Sequence, residues 1–237
     1  MMPKAEGCDP MKKRIKLRDR LLPDYSKGEE VMNMVTHIVG GAVGIATLVL
    51  CVIISAIKGS VSGVLCSVAF GSSMIALYTM SSVYHGLRPN LAKKVFQIID
   101  HCTINFLIAG TYTPILICSM AKKYPVAAWV TFGVIWGLVA ISTTLTAIDL
   151  HKYKVFSMIC YIGTGWAILP TIRQAFECLT PWGFALVLGG GLFYTFGVLF
   201  YQAGKKKKYF HSIFHIFVLL GSICHTLCVM FFVLWRL

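Results

Sequence analysis

His211 and His215 stand four residues apart in FHSIFHIFVLL, at the start of the last apolar stretch. On a helix that spacing sends both rings out of one face. Ser81 and His85, in SSVYHG, repeat it at the end of the second apolar stretch, and Asp100 opens the third. Neutral imidazole is a zinc ligand, and a catalytic zinc takes three protein ligands while a fourth position holds water. His85, His211 and His215 make such a set, with Zn2+ as the favoured cofactor, although imidazole also suits iron, copper and nickel. A carboxylate beside an acidified water works as general base for attack on a carbonyl. Asp100 fits that role, or that of a fourth ligand, or a charge that complements a helix dipole. Ser81, one turn before His85, faces the same way and either donates a hydrogen bond to a developing oxyanion or packs.

Glu30, Asn33 and His37 share one face of the first apolar helix. They read either as a shell of groups that orients the ligands or as an interfacial polar stripe. His101 adjoins Asp100 but turns about 100° away on the helix, out of the ligand set. Asp149 and His151 fall in a loop, where solvated polar residues are expected. His225, about 15 Å beyond His215 along its helix, is expected to hydrogen-bond within the bundle. The nine cysteines are scattered and mostly inside apolar stretches, against a disulfide framework, and Cys224 with Cys228 read as core.

The elements that must position these residues are membrane helices. Of 237 residues 57% are hydrophobic and 13% charged, about half the charge of a water-soluble domain. Apolar stretches long enough to cross a hydrocarbon layer fall at 34–57, 61–86, 98–120, 124–148, 153–174, 181–202 and 209–235. The fold class is therefore all-α, a seven-helix polytopic membrane bundle over 31–237, preceded by a basic arm over 1–30. Connections are short, so successive helices run antiparallel. Pro114 and Pro170 are expected to kink their helices. Gly40 with Gly44, Gly133 with Gly137, and Gly189 to Gly191 offer close helix approach.

The formal charge of +13 is distributed by side. The arm, with Arg88, Lys93, Lys94, Lys152, Lys154 and the run Lys205 to Lys208, holds 17 of the 22 lysines and arginines. Lys58, Lys122, Lys123, Arg173 and Arg236 lie on the other side. The positive-inside rule then puts the N-terminus in the cytoplasm and the C-terminus outside. Lys205 to Lys208 read as a topology anchor, and the basic balance is no sign of a nucleic-acid partner. The first apolar stretch lacks the pattern of a cleavable signal peptide. With this topology Glu30, Asn33, His37, Ser81, His85, Asp100, His211 and His215 all lie toward the cytoplasmic leaflet of a plasma or inner membrane.

The same residues carry a resemblance. EEVMNMVTHIVGG (29–41), SSVYHGL (81–87), IDHCTINFLIAGTYTPIL (99–116), GGLFYTFGVLFY (190–201) and FHSIFHIFVLLGSICH (210–225), in this order, resemble the haemolysin III family. That family is the bacterial branch of the progestin and adipoQ receptor family. The resemblance implies seven helices with the N-terminus in the cytoplasm. From the adiponectin-receptor members it implies zinc held at His85, His211 and His215, a water-binding aspartate at Asp100 and a serine at Ser81. It also implies kinship with membrane hydrolases that include alkaline ceramidases. The long cytoplasmic domain of the animal receptors has no counterpart here, so the implication stops short of hormone reception.

The expectation is a zinc-dependent hydrolase that cleaves a lipid amide or ester at the cytoplasmic leaflet, with membrane lipid as its partner. Two other readings stand beside it. One is a cytolysin that permeabilises target membranes, as a homo-oligomeric pore. The other is a membrane sensor in which zinc is structural.

Overall fold

The computed structural model describes residues 16–204 and 207–237. No strand occurs among the described residues, which form helices α1 (Lys27–Ile57), α2 (Val61–Gly86), α3 (Leu91–Pro114), α4 (Pro125–Ile148), α5 (Lys154–Gly165), α6 (Ile172–Ala203) and α7 (Phe210–Leu227). Among the described residues, six helical stretches are long and apolar enough to cross a membrane, the fifth being the 50-residue run Lys154–Ala203.

Local chemistry starts the first three helices where they begin. Ser26 and Glu29 close a reciprocal capping box, in which Glu29 Oε2 accepts from Ser26 N at 2.9 Å and Ser26 Oγ accepts from Glu29 N. The first helix therefore begins at Lys27, inside the stretch that composition assigns to the arm. Ser60 caps α2, and Asn90 caps α3 through Lys93 N at 2.8 Å. Pro114 lacks an N–H, and after it α3 loosens into a π-turn over Ile115–Ser119. Pro170 sits in a short 3-10 turn, Leu169–Thr171, that separates α5 from α6.

Within α6, Thr180 takes φ 66°, ψ 160° immediately before Pro181. Proline excludes the helical region for its predecessor, so the rod breaks here. The packing partners record the reversal. Tyr161 Oη donates to His101 O at 2.8 Å, Tyr112 Oη to Gly165 O at 2.7 Å, and Lys123 Nζ to Glu177 at 2.9 Å. Residues 154–179 thus run beside α3 and in its direction. After Thr180 the chain returns, bringing Thr195 to Trp166 and Tyr201 to His211.

α1 shows how the bundle is solvated. Val31, Val35, Ile38, Ile45, Val49 and Ile53 lie exposed on one side, while Asn33, His37, Gly40, Gly44, Thr47 and Cys51 are buried on the other. An apolar outside around a partly polar inside suits a hydrocarbon solvent. Gly40 lets α2 close in, since a Cβ there would collide with the Tyr78 ring. Gly133 and Gly137, expected from their spacing to do the same, have no such neighbour and face open space.

Residues 16–26 lie against the bundle. Arg20 is buried and pairs with Asp149 at 3.6 Å, and Lys94 Nζ donates to Arg18 O. Asp149 also accepts from His151 N at 3.1 Å and Lys152 N at 3.2 Å. It is buried rather than solvated as expected, because it closes the α4–α5 turn on itself and receives Arg20. The eight described cysteines are free.

Candidate metal centre

Three helices meet at one end of the bundle. His85 comes from the last turn of α2, and His211 and His215 come from the first two turns of α7. One ligand atom from each lies within 4.8 Å of the others, and all three residues are buried. His211 Nε2 and His215 Nε2 are 3.1 Å apart. The ring centroids stand 5.4 Å (His85–His211), 5.1 Å (His85–His215) and 4.6 Å (His211–His215) apart.

The far nitrogens of two rings are tied down. His85 Nδ1 is 2.6 Å from Glu30 Oε2, so this nitrogen carries the proton and donates it to the carboxylate. Its Nε2 then holds a lone pair, and this buried atom has no partner. His215 Nδ1 donates to Asn33 O at 3.3 Å, which turns its Nε2 toward His211 Nε2 at the shared point. A ligating histidine characteristically donates its other N–H to a carboxylate or carbonyl in this way. The orphaned Nε2 of His85, beside the Nε2 atoms of His211 and His215, makes an imidazole donor set that fits zinc and no hard oxygen-seeking cation.

Glu30, Asn33 and His37 all come to this centre. Glu30 orients His85, and Asn33 Oδ1 accepts from Ser212 Oγ at 2.6 Å while its carbonyl serves His215. His37 stacks on His215 with centroids 3.8 Å apart, and neither of its ring nitrogens has a partner. Ser81 and Asp100 are both buried and line one cavity with His37, His211 and His215. Asp100 Oδ2 lies 3.7 Å from His101 Nδ1, which itself bonds to Gln97 O at 2.8 Å.

Sequence reasoning missed three contributors. Lys93 Nζ reaches Glu30 Oε1 at 2.7 Å and Leu87 O at 2.9 Å, with its ammonium over the Tyr84 ring. In the sequence it is one more basic loop residue. Ser212 is hidden between the two conspicuous histidines. Tyr25 belongs to the basic arm, yet its ring stacks on His211 at 5.0 Å and tilts against His85 at 5.9 Å. Burial, and after it the neighbouring Tyr201, Glu30, Asp100 and Glu29, push the Tyr25 phenol well above its ordinary range, so it stays neutral.

The cavity has a volume of about 150 Å³ and leads away from the histidines among α3, α5, α6 and α7. Its walls include Leu107, Ile108, Ile115, Val187 and Val218. His225 lines it as well. Contrary to expectation, His225 Nδ1 makes no hydrogen bond; the ring stacks on Tyr194 instead.

Comparison with known proteins places this architecture. Residues 25–226 match the family model described as haemolysin-III related. The chain is 35% identical to Hemolysin-3 of Bacillus cereus over 206 residues, which are 87% of this chain and 92% of that protein. It is 32% identical to the Hemolysin-3 homolog of Bacillus subtilis over 86% of this chain and 94% of that protein. More distant is human Monocyte to macrophage differentiation factor, at 26% over 70% and 68%. So is Heptahelical transmembrane protein 1 of Arabidopsis thaliana, at 24% over 93% and 74%. An all-helical bundle with apolar span-length helices, matched nearly end to end, makes this chain a multi-pass integral membrane protein that belongs to the haemolysin III family.

Proposed function

We propose that the protein is a zinc-dependent hydrolase that cleaves a lipid amide or ester at the cytoplasmic leaflet. The observation that carries the reading is the orphaned Nε2 of His85, held beside the paired Nε2 atoms of His211 and His215. These three residues would hold the ion, whose charge when bound acidifies a water and polarises a carbonyl. Asp100 takes up the proton at a carboxylate oxygen, and Ser81 donates a hydrogen bond to the oxygen that gains charge. Glu30 keeps His85 in the tautomer with a free Nε2, and Lys93 holds Glu30 ionised and in place. The apolar cavity supports a substrate with a long hydrocarbon part, because it is continuous with the walls that Ser81 and Asp100 share.

In this reading Lys154–Ala203 crosses twice, which gives seven passes with the N-terminus inside and the C-terminus outside. The break at Thr180, the return of Tyr201 to His211 and the basic residues gathered at the histidine end support it. The name of the Arabidopsis relative describes the same number of helices for that protein.

The test is metal content and lipid turnover of the purified protein. Zinc at about one per chain, lost in His85→Ala, with amide or ester cleavage across a lipid panel is the expected result. Bound zinc with no cleavage of any lipid overturns the hydrolase. The names of the Bacillus relatives carry lysis. Lysis by this chain through lipid cleavage requires His85, whereas a pore would still lyse red cells as His85→Ala.

A further inference from the structure

The cavity that starts at Ser81, Asp100 and His211 continues down the bundle past Leu107, Ile115 and Val218 to His225. Along α7, residues 211, 215, 218, 222 and 225 alternate steps of four and three and so form one stripe. His225 therefore lies about 15 Å deeper than His215.

At that depth the neighbouring polar groups already have partners. Tyr78 Oη donates to Ser222 Oγ at 2.7 Å, and Ser222 Oγ is 2.9 Å from Tyr194 Oη. Trp166 Nε1 donates to Thr195 Oγ1 at 3.0 Å. His225 differs from them. Only 6% exposed, its ring stacks on Tyr194 at 5.5 Å and fills the space left by Gly190, where a Cβ would strike the imidazole. Its Nδ1 is unpartnered. Leucine would fill this place without the cost of a desolvated polar atom, and an ionisable residue in a membrane interior is by default a functional one.

We propose that His225, with the Tyr194–Ser222 pair beside it, forms a second polar subsite at the deep end of the cavity. It accepts a hydrogen-bonding group, hydroxyl or keto, carried far along the acyl chain of the ligand. An extended chain advances roughly 1.2 Å per bond, so a span of about 15 Å puts that group about a dozen carbons from the end held at the three histidines. The subsite selects oxygenated acyl chains over plain ones. The inference rests on the lipid reading of the cavity given above.

The experiment is calorimetric titration of the purified, zinc-loaded full chain in detergent with three fatty acids: stearate, 12-hydroxystearate and 6-hydroxystearate. The expected order places 12-hydroxystearate about three- to tenfold tighter than stearate, the worth of one net hydrogen bond. The 6-hydroxy acid falls below stearate, because its hydroxyl meets apolar wall. In His225→Leu the ratio of 12-hydroxystearate to stearate falls to about one. Equal affinity of the wild type for all three acids, or a preference that survives in His225→Leu, overturns the subsite and leaves the lipid reading standing. Failure of every acid to bind overturns the lipid reading and the subsite with it. Should His225→Leu not fold, the wild-type order of the three acids decides alone.

Discussion

Glu30 and His85 are joined by a 2.6 Å hydrogen bond between Oε2 and Nδ1, and the opposite ring nitrogen is left without a partner inside the protein. The bond spans α1 and α2, and Lys93 at the head of α3 completes it from the other carboxylate oxygen. One carboxylate thereby couples three helices to the electronic state of one imidazole.

In the proposed site, removing that carboxylate is expected to weaken metal binding without removing a ligand. Glu30→Ala is expected to lower zinc affinity about 10- to 100-fold, measured by competition with a chromophoric chelator. His85→Ala should lose stoichiometric zinc altogether. Identical affinity in Glu30→Ala and wild type would detach Glu30 from the metal site.

In the proposed hydrolase, Asp100 is expected to separate chemistry from binding. Asp100→Asn keeps zinc near one per chain and lowers lipid turnover by about 10²- to 10⁴-fold, the range for loss of a general base. Loss of the metal in that variant would make Asp100 a ligand instead.

Proton competition gives a pH dependence of known sign. Each histidine must be neutral to ligate, so a proton and the metal compete for the same ring nitrogens. Zinc affinity is therefore expected to fall on acidification. Equilibrium dialysis at a series of pH values reads it directly, and affinity that rises on acidification would contradict histidine ligation.

Tyr25 covers His211 and His85 from the side of residues 16–26, stacked on the first and tilted against the second. Tyr25→Ala should let a water-soluble chelator strip zinc several-fold faster, with the equilibrium affinity changed much less. Stopped-flow release into excess chelator separates the two quantities.

Packing of α1 on α2 tolerates nothing larger than hydrogen at Gly40. Gly40→Ala must displace Tyr78, whose hydroxyl bonds Ser222 on α7, and is expected to cost about 1–3 kcal/mol. Gly133→Ala, with open space around it, should shift thermal unfolding in detergent little or not at all.

Much of this was legible in the chain, for reasons that can be named. Spacing of four put His211 and His215 on one face, and alternation of short-looped apolar stretches brought His85 and Asp100 to their level. Glu30, Asn33 and His37 were recognisable as a face, and the structure gives each a contact with the histidines. Lys93 was not legible, because a lysine in a basic loop looks the same whether it is solvated or folded back over Tyr84 onto Glu30. Tyr25 and Arg20 sat in a stretch that its charge marked only as a basic arm. What holds them is an aromatic stack and Asp149, both distant in sequence. Gly133 and Gly137 misled in the opposite direction, since a glycine pair reports only that an approach is allowed. The break at Thr180 was legible too, since it falls in the gap between the apolar stretches 153–174 and 181–202 and just before a proline.

The three histidines come from the second and the last of the α-helices, and the carboxylate that orients one of them comes from the first. During biosynthesis no early fragment of the chain holds a full set of donors; they coexist only once α7 has docked against α1 and α2. An ion that binds only this finished arrangement stabilises it by mass action. Zinc supply should thus govern how much of the newly inserted protein survives membrane proteolysis, and a chain shortened ahead of α7 should be cleared whatever the zinc level.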